Sequence, residues 1–157
     1  MNRRFRKTVA RNADLYIVQS HELSDDDAFA LYQRYIDARH RDGDMFPATE
    51  EQYRSFILAN TDTTRYVKCY ANEQLVMVSV LDILQSGLSA VYTFFDTQDE
   101  RRSLGNFAIL WMIMQAQHMQ LPYVYLGYWV KDCRKMSYKS QFRPIELLLD
   151  GRWVALN

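Results

Sequence analysis

Five groups of side chains in this sequence have types and spacing suited to chemistry. Arg39 and His40 stand side by side, a guanidinium and an imidazole that together can grip a carboxylate, the imidazole best when protonated. Asp82 sits inside the apolar run Val78–Leu84, where a carboxylate must be paired or protonated. Tyr92, Tyr125 and Tyr128 bring hydroxyls and ring faces on expected strands. Residues 131–143 hold Lys131, Arg134, Lys135, Lys139 and Arg143 interleaved with Tyr138 and Phe142, the make-up of surfaces that bind single-stranded nucleic acid. Lys135, Tyr138 and Lys139 are spaced by three and four residues, so a short helix would bring them to one face. Arg101-Arg102-Ser103-Leu104-Gly105 precede a helical run, and free amides at a helix start hold anions.

Each group also has a plainer use. Basic residues at a helix end complement its dipole. Asp82 can pair with a core arginine, tyrosines on strands are commonly core residues, and the Arg101–Gly105 segment can be an ordinary helix cap. Cys69 and Cys133 form no C-x-x-C pair, and neither stands at zinc-ligand spacing from a histidine. They read as two free thiols in a reducing compartment, and Cys133 has no base near it in sequence to make it a nucleophile.

The elements that must position these groups follow from periodicity. Asp14–Ser20 is a strand candidate. Ser24 followed by Asp25, Asp26 and Asp27 starts a helix, with a hydroxyl cap and acids at the positive dipole end. Phe29, Tyr32, Tyr35 and Ile36 continue it to about Arg41, near Gly43. Thr49 and Gln52 resemble a capping box ahead of a second helix with Tyr53, Phe56, Ile57 and Leu58. Arg65–Tyr70 and Leu75–Leu84 are strands joined at Asn72-Glu73, and after a turn at Gln85–Gly87 comes a third, Ser89–Phe95. Ser103–Met119 is a long helix ended by Pro122, Tyr123–Val130 is a strand, and Glu146–Leu149 opens a last element before Trp153.

Composition narrows the class. The chain of 157 residues is 48% hydrophobic and 14% aromatic, with only 5 Gly and 3 Pro, which excludes disordered, collagen-like and linker-rich chains. Lys+Arg and Asp+Glu both number 19, so a uniformly basic coat is excluded. The balance is local, however. Residues 1–13 hold Arg3, Arg4, Arg6, Lys7 and Arg11 without an acid, and residues 131–143 hold five cations against Asp132. An acidic body with two basic clusters suits a localised anionic ligand. No apolar run is long enough to span a membrane, and no apolar segment follows the basic start to make a secretory signal.

The order β-α-α-β-β-β-α-β predicts an α+β chain with a mixed sheet and helices on both faces. It resembles the GNAT acyltransferase fold, in which the fourth strand splays from the fifth and a phosphate sits at the start of the helix between them. Here that segment is Arg101–Gly105, where of the usual glycine-rich pattern only Gly105 stands. Longer phrases point further: Arg11-Asn12-Ala13-Asp14-Leu15, Tyr32 to Arg39-His40, Leu81-Asp82-Ile83-Leu84, Leu88-Ser89-Ala90-Val91-Tyr92, Tyr125-Leu126-Gly127-Tyr128-Trp129-Val130, Cys133-Arg134-Lys135-Met136-Ser137-Tyr138-Lys139 and Pro144-Ile145-Glu146-Leu147-Leu148. Together they resemble the C-terminal domain of the N-degron aminoacyl-tRNA–protein transferases, nearest the bacterial leucyl branch and more distantly the arginyl branch.

The resemblance implies transfer of leucine from charged tRNA to the α-amine of proteins beginning with Asp or Glu, marking them for degradation. It implies no cofactor, since the aminoacyl-tRNA is itself the donor. Its partners would be Leu-tRNA and an acidic protein N-terminus, without a membrane and in the cytoplasm. In that reading Asp82 and Tyr92 are catalytic candidates. Arg39, His40, Tyr125, Tyr128, Arg134, Lys135, Tyr138 and Lys139 bind substrate, and Arg101, Arg102 and Gly105 hold tRNA phosphate. Family members are longer and begin with a domain carrying a cysteine-rich segment. Residues 1–13 are thus expected to be a basic lead-in from that domain, and 14–157 the transferase domain. Two other readings stay open: a coenzyme-A-dependent N-acyltransferase, and a truncated remnant that only binds acidic N-termini.

Overall fold

The computed structural model describes residues 2–23 and 26–156, apart from the side chain of Arg134. In chain order the elements are α1 (Arg3–Arg11), β1 (Tyr16–Ser20), α2 (Asp26–Arg39), α3 (Glu50–Gln52), β2 (Thr64–Ala71), β3 (Gln74–Leu84), β4 (Gly87–Phe95), α4 (Leu104–His118), β5 (Tyr123–Tyr125), β6 (Glu146–Leu149) and β7 (Arg152–Ala155). A π-helical turn, Tyr53–Ile57, continues α3, and 3-10 segments occupy Glu100–Arg102 and Arg134–Gln141. The chain divides into two compact units, Met1–Tyr125 and Leu126–Asn157.

The first unit is built on a sheet of order β1-β2-β3-β4-β5. Its first four strands run antiparallel, and β5 is parallel to β4. Asn72 and Glu73 join β2 to β3 with φ of 47° and 67°, the two left-handed residues that suit a two-residue hairpin. One sheet face packs on α4 through Val67, Met77, Leu81 and Leu88 against Leu104, Phe107, Ala108, Trp111 and Met112. The other packs on α2 and the π turn through Tyr66, Val78, Val80 and Phe94 against Leu31, Tyr32, Ile36 and Ile57. Burying each large side chain contributes about 1.5–3 kcal/mol. Helices therefore cover both faces of a mixed sheet, as the sequence pattern predicts.

Half of the capping box is present. Thr49 Oγ1 accepts from the Gln52 amide at 3.2 Å, while the Gln52 side chain donates to the Asp44 carbonyl at 3.4 Å and not back to Thr49. The helix it opens departs from expectation, widening into the π turn after Gln52. Tyr66 makes that possible by donating its hydroxyl to the Ile57 carbonyl at 2.8 Å, a carbonyl without an intrahelical partner. The start of α2 expected at Ser24 and Asp25 lies outside the described residues.

The basic run of residues 1–13 is largely a helix: α1 buries Phe5 and Thr8 and is capped by Asn2, whose Oδ1 accepts from the Phe5 amide at 2.9 Å. One expectation is corrected. The strand expected over Tyr123–Val130 ends at Tyr125. Gly127 lies at φ 73°, outside the extended region, and the carbonyls of Leu126 and Tyr128 go to Lys139 Nζ at 2.7 and 2.9 Å instead of to a neighbouring strand.

The second unit, taken by itself, contains that loop, the 3-10 segment and the antiparallel hairpin β6–β7. Leu148, Leu149, Trp153 and Val154 of the hairpin are all exposed.

Candidate active site

Strands β4 and β5 stay paired for only three residues, Gly87–Ser89 against Tyr123–Tyr125. Two residues later β4 bulges: Val80 faces Tyr92 while Leu81 faces Ala90, which leaves Val91 unmatched. The bulge re-aims β4, and the pairing with β5 ends where β5 itself ends, at Tyr125. Beyond the bulge Tyr92 points to the α2 face of the sheet, opposite Val80.

There a wall of rings forms. Tyr92 meets Tyr35 edge-on at 6.4 Å and Phe56 at 5.2 Å, Tyr35 stacks tilted on Phe95 at 5.0 Å, and His40 lies against Tyr35 at 5.4 Å. The rings are half-buried and Phe56 is exposed, so the wall opens to solvent. The π turn is what delivers Phe56 to it. Burial, with Tyr35 and Tyr32 nearby, pushes the Tyr92 hydroxyl far above the ordinary phenol range. It is therefore a neutral donor, directed at Met45 Sδ at 3.5 Å. Arg39 ends α2 exposed, next to half-buried His40.

Asp82 shares the α2 face two residues beyond Val80. Its expected arginine partner is replaced by hydroxyls: Thr64 donates to Oδ1 at 2.7 Å and Thr63 at 3.4 Å. The group is half-buried. Both bonds fall on Oδ1, and a carboxylate has acceptor sites to spare. Tyr125, at the end of β5, shares a 2.9 Å hydrogen bond with Ser86.

The expected phosphate segment is organised differently from its sequence reading. Arg102 is turned onto Asp14 in a two-pronged pair at 2.9 and 2.8 Å, so its charge is spent within the unit and not on a ligand. The pair holds the Asp14 carboxyl below its ordinary value, chiefly by hydrogen bonding, and raises the Arg102 guanidinium. Arg101 is 91% exposed, 3.5 Å from Asp99. Gly105 packs under the Phe95 ring, where an added Cβ would stand 3.2 Å from it. Ser103, at φ 50°, supplies no side-chain cap to α4.

In the second unit Lys139 is the latch of the Gly127 loop, through the two carbonyls named above. Burial lowers its ammonium from the usual lysine value, and it stands 5.9 Å from the Tyr128 ring. Lys139 is thus a positioning group for the loop, not the outward cation that its spacing suggested. Tyr128 is 77% exposed and off any strand. Lys135 is exposed and Tyr138 half-buried, its hydroxyl pushed up by burial. Arg134 begins the 3-10 segment.

The structure therefore brings His40 and Tyr92 onto one ring wall, through Tyr35, and joins Tyr128 to Lys139. Sequence reading missed Tyr35, Phe56, Phe95, Thr63 and Thr64 as site residues. Tyr35 was detectable one helical turn before Arg39. The run Thr61-Asp62-Thr63-Thr64 ahead of a strand was a signal for hydroxyl donors.

With this geometry in place, comparisons with known proteins are informative. The family described as arginine-tRNA-protein transferase, C terminus, matches residues 27–149. An aspartate/glutamate leucyltransferase of Pseudomonas fluorescens is 49% identical over 156 residues, covering 99% of this chain and 66% of that one. The protein of the same name from Pseudomonas savastanoi pv. phaseolicola is 48% identical over 155 residues with the same coverage. The chain thus spans about two thirds (66%) of the length of these relatives. Among solved structures, a ribosomal-protein-alanine N-acetyltransferase from Brucella melitensis biovar Abortus superposes with a TM-score of 0.60 at 11% identity, covering 91% of this chain and 97% of that one. That likeness shows the fold, the GNAT-type arrangement expected from the element order.

Proposed function

The chain belongs to the family of arginine-tRNA-protein transferase C-terminal regions, and we propose that it carries the acyl-transfer step by which leucine passes from tRNA to the α-amine of proteins beginning with Asp or Glu. One observation carries the reading: near-half identity to aspartate/glutamate leucyltransferases along 99% of the chain. Charged tRNA and an acidic protein N-terminus are then its substrates, met in the cytoplasm.

The chemistry asks for little covalent help. The donor ester is already activated, and an α-amine with a pKa of about 7.7–8.0 is partly neutral at pH 7. The amine attacks the ester carbonyl, the tetrahedral centre collapses, the C–N bond replaces the C–O bond, and the tRNA ribose hydroxyl leaves with a proton. Aligning amine and ester supplies much of the acceleration. In this reading Arg39 and His40, adjacent at the end of α2, grip the acceptor carboxylate. Asp82, with acceptor sites left beside its threonine bonds, orients the amine or takes its proton. Tyr92 and Tyr125 offer hydroxyl donors toward the ester oxygen. Tyr128, Arg134, Lys135 and Tyr138 contact the tRNA acceptor end by stacking and charge, on a loop held by Lys139. Arg101 and the first-turn amides of α4, Gly105 among them, receive phosphate.

Radiolabelled Leu-tRNA and Arg-tRNA, each offered with peptides beginning Asp, Glu or Ala, test this. The expected result is leucine on the Asp and Glu peptides and none on Ala. Arginine transfer in place of leucine overturns the donor assignment. If peptides beginning Asp bind but receive nothing from either tRNA, the chain is a recognition module.

A further inference from the structure

We propose that the outward face of α1 is a docking surface for the phosphate backbone of a structured RNA, the tRNA of the reading above, on which this inference rests. Sequence alone presents residues 1–13 as a basic run. In the structure the run is an anchored helix. Phe5 and Thr8 are buried. Asn12, also buried, donates from Nδ2 to the carbonyls of Thr8 at 2.9 Å and Arg102 at 2.8 Å. Arg11 donates to the Arg101 carbonyl at 3.1 Å, and Arg102 donates back to the Arg11 carbonyl at 3.3 Å. The C-terminal end of α1 is thereby fixed to the turn that leads into α4, joining residues about ninety positions apart.

Anchoring sorts the side chains. At about 100° per residue, Phe5, Thr8 and Asn12 fall within an arc of about 60°, and Arg3, Arg4, Arg6, Lys7 and Arg11 occupy an arc of about 160° on the opposite side. All five cations are exposed. Among the described residues Arg3, Arg6 and Lys7 take part in no ion pair. The nearby acids are engaged elsewhere, Asp14 by Arg102 and Asp99 by Arg101 and Arg102. Exposed Arg101 extends the surface beyond the helix. From Arg3 to Arg11 the helix rises about 12 Å, a length that faces several successive phosphates.

RNA fits this face better than a lipid surface does. A helix lying on a membrane presents an apolar side to the acyl chains, whereas here the one large apolar side chain, Phe5, is buried in the protein. What faces outward is charge and Ala10, suited to contacts that release counterions and carry no sequence reading.

The test uses the full chain and uncharged tRNA, with the triple variant R3Q/R6Q/K7Q and a charge-keeping control, R3K/R6K. Affinity is measured from 50 to 200 mM salt. Each lost phosphate contact lowers the slope of log affinity against log salt by about 0.7–0.9. The triple variant is expected to bind at least tenfold more weakly at the low-salt end, with a slope shallower by about 2. The lysine control should keep the wild-type slope, since a point charge suffices at a phosphate. An unchanged slope in the triple variant overturns the proposal, as does absence of tRNA binding by the wild type. So does loss of binding to phosphatidylserine vesicles while tRNA binding stays intact. Equal loss in the lysine control would mean the arginines hold the fold, and this too overturns it. Because the tRNA is uncharged, failure of leucine transfer would leave this result standing, and the two readings fail separately.

Discussion

Arg102 and Lys139 are both cations that linear spacing assigns to anionic ligands, and both spend their charge inside the protein. Arg102 takes Asp14 from 88 residues away, and Lys139 takes two carbonyls of a loop 11 and 13 residues earlier. A lysine or arginine is named by the sequence, but its partner is chosen by the fold. For Asp14 the consequence is a pH dependence. Its carboxyl is held below its ordinary 3.8, chiefly by the Arg102 hydrogen bonds. A depressed carboxylate contributes stability that is fully present above the unfolded value and is lost as pH falls through the folded one. Thermal unfolding should therefore show wild-type stability declining below about pH 4, with Asp14→Asn less stable at neutral pH and flatter in that acid window. Identical acid limbs would show that the pair contributes nothing. Asp82 teaches the same lesson in reverse: its place on a strand and the threonine run at 61–64 were each legible, but their pairing was not, because Thr63 and Thr64 reach it from the loop and strand start across the ladder. Cys69, by contrast, was readable as a free thiol, and it is one, buried, with its thiol pushed up to about 12.

Among the elements, those set by local rules were legible and those set by distant contacts were not. The Asn72-Glu73 hairpin, the Thr49 cap and the long apolar helix α4 follow from turn, cap and periodicity rules. Helix α1 does not: nine residues with five like charges are a poor isolated helix, and only docking through Phe5, Thr8 and Asn12 forms it. The short β5 is the second case, because a glycine and the amine of Lys139 end the strand where hydrophobicity would continue it. The three-residue pairing of β4 with β5 depends on Gly87, since a Cβ there would collide with the Tyr123 carbonyl and its carbon and crowd the Tyr125 ring. Gly87→Ala should therefore lose about 1–3 kcal/mol in urea unfolding. Gly43→Ala, where the nearest atom would be the His40 carbonyl at an ordinary 3.8 Å, should change stability by less. If Gly43→Ala costs as much as Gly87→Ala, the close approach of β5 to Gly87 is not what restricts that position.

For the whole molecule, a balance of 19 acidic and 19 basic residues conceals where the charge acts. The fold gathers five of the cations onto the outward face of the anchored helix α1, next to the start of α4. It gathers a separate set of rings, with His40 among them, on the opposite face of the sheet from α4. On the proposed reading, a domain that takes an amino acid from a large polyanion and passes it to an acidic protein N-terminus needs surfaces of these two kinds. The fold class was legible because element order and apolar periodicity survive without tertiary detail. The site was legible only in part: its aromatic wall is assembled from α2, the π turn and β4, and no single stretch of sequence contains it. The relatives' additional third of chain makes the activity of this chain by itself the central question. The most direct test is one turnover of Leu-tRNA with a peptide beginning Asp, compared with the same peptide acetylated at its amine and read by mass spectrometry. The account predicts leucine on the free α-amine and none on the blocked peptide; leucine on neither, or on both alike, would contradict it.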